Sequence, residues 1–210
     1  MLKILIVDDH PVVRRGVRQI LAEVPDIGSV GEAKDAAEAF HALQGDTWDA
    51  VVLDIMMPGK GGLETLKEMK HRYPGLPVLI LSIYPEDQWA LRVLKEGAAG
   101  YMNKECAPDE LVGALRKIIR GGRYVSPALA EKLAFMIDAK QPVHEDLSSR
   151  EYQVMVMLAE GKTLSQIADL LSLSVKTVST YRSRILEKMD MENNAELIRY
   201  AIAHHLVLTP

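Results

Sequence analysis

Apolar residues fall in short runs through the first part of the chain and in helical stripes through the rest. Leu2–Val7, Ser29–Ala33, Ala50–Leu53, Val78–Leu81 and Ala99–Met102 have the length and texture of parallel strands covered on both faces. Between them, Val12–Glu23, Asp35–Leu43, Gly62–Arg72, Pro85–Lys95 and Pro108–Arg120 carry the amphipathic spacing of helices. Five such repeats predict an α/β fold with a doubly wound, five-stranded parallel sheet. In that architecture ligands bind outside the carboxyl ends of the strands. Asp8, Asp9, Asp54, Ser82 and Lys104 all stand at such ends.

The pattern changes after Gly121, Gly122 and Pro127, where Pro127–Ile137 reads as a short helix. Asp138–Asp146, DAKQPVHED, is polar around a proline and reads as a linker. Ser148 and Glu151 then form a Ser-x-x-Glu capping box ahead of a stripe of Val154, Met155 and Leu158, which Gly161 closes. Helices over Leu164–Leu171, from Ser174 to Met189 and over Asn194–His205 complete an all-α segment. The expected organisation is a first domain over 1–122, a linker with its short helix over 123–146, and a helical domain over 147–210.

Composition fits that division. With 48% hydrophobic and 26% charged residues, 210 residues suffice for a packed core or for two small ones. Residues 147–210 carry seven Lys/Arg and seven Asp/Glu, so the whole excess of the −4 net charge lies in residues 1–146. Cys106 is the only cysteine, which excludes an internal disulfide and suits a reducing compartment. No apolar run has the length of a membrane span, and the first ends too soon for a signal peptide. A cytoplasmic protein is expected.

The stretch KILIVDDHP sets Asp8 and Asp9 side by side where the first strand stops. Alone they read equally well as loop acids. VLDIMMPGKGG adds Asp54 at the end of a third strand, followed by a Pro and Gly turn. Three converging carboxylates repel unless neutralised, and Mg²⁺ suits a site built from carboxylates, a carbonyl and waters. His10 reads as a polar loop residue near this pocket rather than a ligand.

Residues 1 to about 120 resemble the receiver domain of a bacterial two-component response regulator, a flavodoxin-like fold. The resemblance implies that Asp54 is the nucleophile accepting a phosphoryl group from a sensor histidine kinase. It implies that Asp8, Asp9, Asp54 and the Met56 carbonyl hold Mg²⁺ or Mn²⁺, Asp9 directly and Asp8 largely through water. Lys104 would offset charge on the phosphoryl oxygens, a role consistent with a carboxylate nucleophile. Ser82 and Tyr101 match the hydroxyl and aromatic that read out phosphorylation; as an alternative, Tyr101 is a strand residue with a half-buried ring. Glu105 stands where many receivers have a cis proline, which leaves the loop geometry open.

LSLSVKTVSTYRSRILEKM, residues 171–189, gives Ser174 as N-cap of a helix burying Val178, Tyr181, Ile185 and Met189. Its opposite face presents Lys176, Thr180 and Ser183, with Ser179 and Arg184 on the flanks. A solvated face is the alternative, but such faces favour Glu and Lys over three short hydroxyls. With the preceding helix and a three-residue turn, the form is that of a helix-turn-helix. Residues 147 to about 207 resemble the LuxR-type helix-turn-helix, and the two domains together the NarL/FixJ class, with KTVSTY most similar to the BvgA and EvgA branch.

The resemblance implies that Ser179, Thr180 and Ser183 approach base edges while Lys176, Thr177 and Arg184 bind phosphates. Arg182 projects about 40° from the buried face, which favours a backbone phosphate or an intramolecular partner. The last helix, with Leu197, Ile198, Ala201 and Ile202 on one side, would pair with its copy in a dimer. His204 and His205 read as a frayed end rather than a metal site. The expected protein is a transcription factor, not an enzyme with small-molecule turnover. Its partners would be a kinase, promoter DNA, a second copy and, for an activator, RNA polymerase, with no membrane contact. A phosphotransfer relay and a phosphate-insensitive binding protein are the rival readings.

Overall fold

The structure is a computed structural model describing residues 1–84, 86–106, 108–127, 129–131, 142–204, 206 and 207. It divides into two compact units, Met1–Ile137 and Asp138–Pro210.

The first unit alternates strand and helix: β1 Leu2–Val7, α1 Pro11–Ala22, β2 Ile27–Ala33, α2 Ala36–Gly45, β3 Ala50–Leu53, α3 Gly62–Arg72, β4 Val78–Ser82, α4 Glu86–Lys95, β5 Gly100–Asn103 and α5 Pro108–Ile119. All strands are parallel in the order β2-β1-β3-β4-β5. The reversal of strand order after β1 puts the switch point between β1 and β3. The central strands are buried almost throughout, as their mostly apolar runs require, whereas edge strand β2 is exposed or half-buried up to Ala33. Ile4, Ile6, Val52, Leu79 and Leu81 meet Leu21 of α1 and Leu111, Leu115 and Ile118 of α5 in one core cluster.

Small departures from the sequence expectation have local causes. β2 starts at Ile27, because the Leu2 amide bonds to the Asp26 carbonyl and draws the segment into the sheet early. β5 is shifted by one residue, to Gly100–Asn103. Proline opens α1 at Pro11, where its missing N–H costs nothing. Pro85, the expected start of α4, lies outside the described residues, and the helix is described from Glu86. Tyr124 makes an isolated bridge to Gly100, with its amide donating to Ala99 and its carbonyl accepting from the Tyr101 amide. A Cβ on Gly100 would stand 2.7 Å from the Tyr124 carbonyl oxygen, so glycine permits this approach.

In the expected helix Pro127–Ile137, Pro127 and residues 129–131 are helical, and the rest lies outside the described residues, as do 138–141 of the expected linker. Val143–Asp146, expected to be linker, instead forms a 3₁₀ turn in the second unit. Its His144 Nδ1 lies 2.9 Å from the Tyr200 hydroxyl. The unit continues with α6 Ser149–Ala159, α7 Leu164–Leu171, α8 Val175–Lys188 and α9 Asn194–Ala203. The capping box of α6 is present as the sequence spells it. A second box, Thr163 with Gln166, starts α7, and Ser172 ends it in the left-handed region at φ 52°. His204 is not frayed: its ring stacks on Tyr200 with centroids 4.1 Å apart, while His205 lies outside the described residues.

Candidate functional site

Strand register brings the pocket together. Val7 pairs with Leu53 and Ser82 with Asn103, so Asp8, Asp54 and Lys104 each follow a paired strand end. The ladder runs one step further: Asp8 N donates to Ala33 O, Asp54 N to Val7 O at 2.9 Å and Lys104 N to Ser82 O at 2.8 Å. Behind Asp54, a Cβ on Gly62 would collide with the Asp54 carbonyl oxygen, so the start of α3 packs against the backbone bearing that carboxylate.

Lys104 Nζ lies 2.7 Å from Asp8 Oδ2 and 2.8 Å from Asp54 Oδ2. Asp8 and Asp54 are each 2% exposed. Burial holds the Asp54 carboxyl above the ordinary carboxylate range, against the Lys104 cation and with a further push from Asp8. Burial also opposes the Lys104 cation, but Asp54 and Asp8 outweigh it and hold its pKa above the usual lysine range.

Asp8, Asp9, His10 and Asp54 each offer a ligand atom within 4.8 Å of the others. Asp9 Oδ1 is buried and accepts no hydrogen bond, although His10 Nδ1 lies 3.0 Å away. Three carboxylates and one lysine leave two uncompensated negative charges when all are ionised, and the donor set is mostly hard oxygen. These residues fit a hard divalent cation. His10 sits closer to the pocket than the sequence suggested, with Nδ1 also 3.2 Å from Asp8 Oδ1. Arg14, which sequence reading passed over, donates from Nη1 to the Asp8 carbonyl at 2.6 Å. Its position one helical turn beyond His10 was the available signal. The Met56 amide donates to Asp54 Oδ1 at 3.2 Å, placing that residue beside the carboxylate.

Ser82 and Tyr101 are fully buried and share one neighbour. The Tyr84 amide donates to Ser82 Oγ at 3.2 Å, and the Tyr101 hydroxyl donates to the Tyr84 carbonyl at 2.8 Å. The Tyr101 ring is thus wholly inside rather than half-buried. Glu105 uses the amide that proline would lack: its N–H donates to Asn103 Oδ1 at 2.8 Å, and no cis peptide occurs among the described residues.

In the second unit, Ser174 caps α8 by accepting from the Thr177 amide at 3.0 Å. Val178 and Ile185 are fully buried and Met189 nearly so, joined by Leu186, whereas Tyr181 is only half-buried. Lys176, Thr180, Ser183 and Arg184 are exposed, and Thr177 and Ser179 half-buried. Thr180 Oγ1 donates to the Lys176 carbonyl at 3.0 Å and Ser183 Oγ to the Ser179 carbonyl at 3.2 Å, so each presents lone pairs outward. Arg182 takes the intramolecular alternative, its Nε donating to Asn194 Oδ1 at 2.6 Å. On α9, Leu197 and Ala201 are buried while Ile202 remains 42% exposed.

Residues 4–116 match the response regulator receiver domain, and residues 145–201 match the luxR family of bacterial regulatory proteins. The response regulator GacA of Pseudomonas aeruginosa is 37% identical, over 99% of this chain and 98% of its own length. The response regulator UvrY of Escherichia coli K12 is 35% identical over 98% and 96%. RcsB of Salmonella enterica serovar Typhimurium, bound to promoter rprA in the presence of the phosphomimetic BeF₃⁻, superposes with a TM-score of 0.67 at 27% identity, over 97% of this chain and 100% of that one. The paired acids and lysine at aligned strand ends, and a capped helix-turn-helix in a separate unit, therefore belong to a response regulator of the NarL/FixJ class with a receiver and a LuxR-type DNA-binding domain.

Proposed function

We propose that Asp54 accepts a phosphoryl group from a sensor histidine kinase and that this modification controls dimerisation and promoter binding. The observation that carries the reading is the Lys104 ammonium held between Asp8 and Asp54 beside a buried Asp9 oxygen that accepts no hydrogen bond. An Asp54 carboxylate oxygen forms the new bond to phosphorus as the bond from phosphorus to the kinase imidazole nitrogen breaks, and that nitrogen keeps the electron pair. Asp8, Asp9, Asp54 and the Met56 carbonyl would hold Mg²⁺ or Mn²⁺, which supplies charge neutralisation on the phosphoryl oxygens. Lys104, already held beside Asp54, stabilises the same charge.

Readout passes through Ser82, whose hydroxyl accepts from the Tyr84 amide and keeps its own O–H to donate to the phosphoryl oxygen, and Tyr101, which is anchored on Tyr84. The receiver spans 1–122, and the DNA-binding domain, with the 3₁₀ turn Val143–Asp146 at its start, follows a linker that begins at 123 and ends before that turn. Lys176, Thr177 and Arg184 bind phosphates, Ser179, Thr180 and Ser183 face bases, and Arg182 reaches the backbone only by leaving Asn194. Dimers bind inverted half-sites about one helical turn apart or tandem arrays of them, and an activator would contact RNA polymerase. The chain acts in the cytoplasm and turns over no small molecule; among the described residues no helix is long and apolar enough to cross a membrane.

Phosphoryl incorporation from acetyl phosphate with Mg²⁺, read by intact mass on wild type and Asp54→Asn, tests the reading. Incorporation in wild type alone is expected. Equal incorporation in both would remove Asp54 from the role, and none in wild type would leave a DNA-binding protein governed by another signal.

A further inference from the structure

The first turn of α8 carries an apolar side chain that neither the core nor the roles above employ. Val175, the opening residue of the helix, is 46% exposed. It follows directly on a closed cap, in which Ser174 Oγ lies 2.7 Å from Thr177 Oγ1 and accepts from the Thr177 amide. At about 100° per residue, Val175, Ser179 and Ser183 run down one side of the helix. That side carries two of the three hydroxyls assigned to base edges. The other exposed side chains of that surface, Lys176, Thr180, Ser183 and Arg184, are polar.

Recognition helices of this motif place their N-terminal residues against base edges. In the major groove the apolar feature is the thymine C5-methyl group, and phosphates offer a valine nothing to bond. We propose that Val175 packs against the methyl group of a thymine in each half-site and selects a T·A pair there. Leu170, 52% exposed, belongs to α7, the helix that crosses the backbone in this motif, and takes no part. The inference rests on α8 entering the major groove.

The test starts from randomised DNA duplexes selected by the full chain treated with acetyl phosphate and Mg²⁺. Each thymine of the enriched duplex is then replaced singly by deoxyuridine, which removes only the methyl group. One replacement per half-site is expected to weaken wild type by about fourfold, the worth of one buried methyl-sized group. Val175→Ala should lose a similar factor on the thymine duplex and respond no further to uracil there, while Leu170→Ala keeps the wild-type response. The proposal is overturned if no thymine is sensitive in wild type, if Val175→Ala keeps the sensitivity, or if Leu170→Ala abolishes it. Failure of the full chain to enrich any duplex would instead overturn the groove reading, and this inference with it.

Discussion

Lys104 decides the electrostatics of the pocket at the scale of single residues. Its ammonium touches two carboxylates that are each 2% exposed, so removing it leaves like charges buried together without a counter-ion. Lys104→Met is expected to lower receiver stability by about 3 kcal/mol in the absence of divalent cations, with part of the loss recovered in excess Mg²⁺. Urea unfolding with EDTA and with Mg²⁺ checks this; equal destabilisation under both conditions would mean that the acids do not hold the cation. The acids and lysine were legible in the sequence because each sits where an apolar run ends. His10 was legible as a loop residue near the pocket, but its ring contacts with Asp8 and Asp9 were not, because they are a matter of side-chain rotamer. The Arg182 and Asn194 pair lies twelve residues apart on two helices, and only their packing brings it together.

Among the elements, the βα repeats were readable because buried parallel strands need continuous apolar runs. The Tyr124 bridge to β5 was not: one residue between Gly122 and Pro127 has no periodicity to announce a strand. The helix-turn-helix was readable from its caps. Glu151 joins α6 to α8, accepting from the Ser148 amide at 2.8 Å and from Lys188 Nζ at 2.6 Å. Burial opposes its ionisation, but Lys188 and the Ser148 amide outweigh that and hold its carboxyl below the ordinary 4.5. A depressed folded pKa adds stability above the unfolded value, and that stability is lost as pH falls through the folded one. Unfolding midpoints of wild type and Glu151→Gln should therefore differ at pH 7 and converge as the pH drops well below 4.5; a constant gap would contradict the linkage. On α8, Thr180→Ala should relax base preference, while Lys176→Ala should weaken binding to selected and random duplexes alike. Equal losses on both duplexes for both variants would overturn the division of roles.

The whole molecule joins an acidic receiver to a charge-balanced DNA-binding domain, and in the sequence the change of apolar pattern separates them, with charge in agreement. What it could not place was the end of the linker: Val143–Asp146 belongs to the second unit because His144 meets Tyr200, a contact no local pattern encodes. Moving such a chain from about 1% to 99% active requires about 5.5 kcal/mol of preference for the active state, which phosphorylation and dimerisation on DNA share. The central claim is that the phosphoryl group on Asp54 sets DNA affinity. Its most direct test is the affinity of wild type and Asp54→Asn for one selected duplex, before and after treatment with acetyl phosphate and Mg²⁺. The account predicts tighter binding after treatment in wild type alone; an untreated Asp54→Asn that binds as tightly as treated wild type would contradict it.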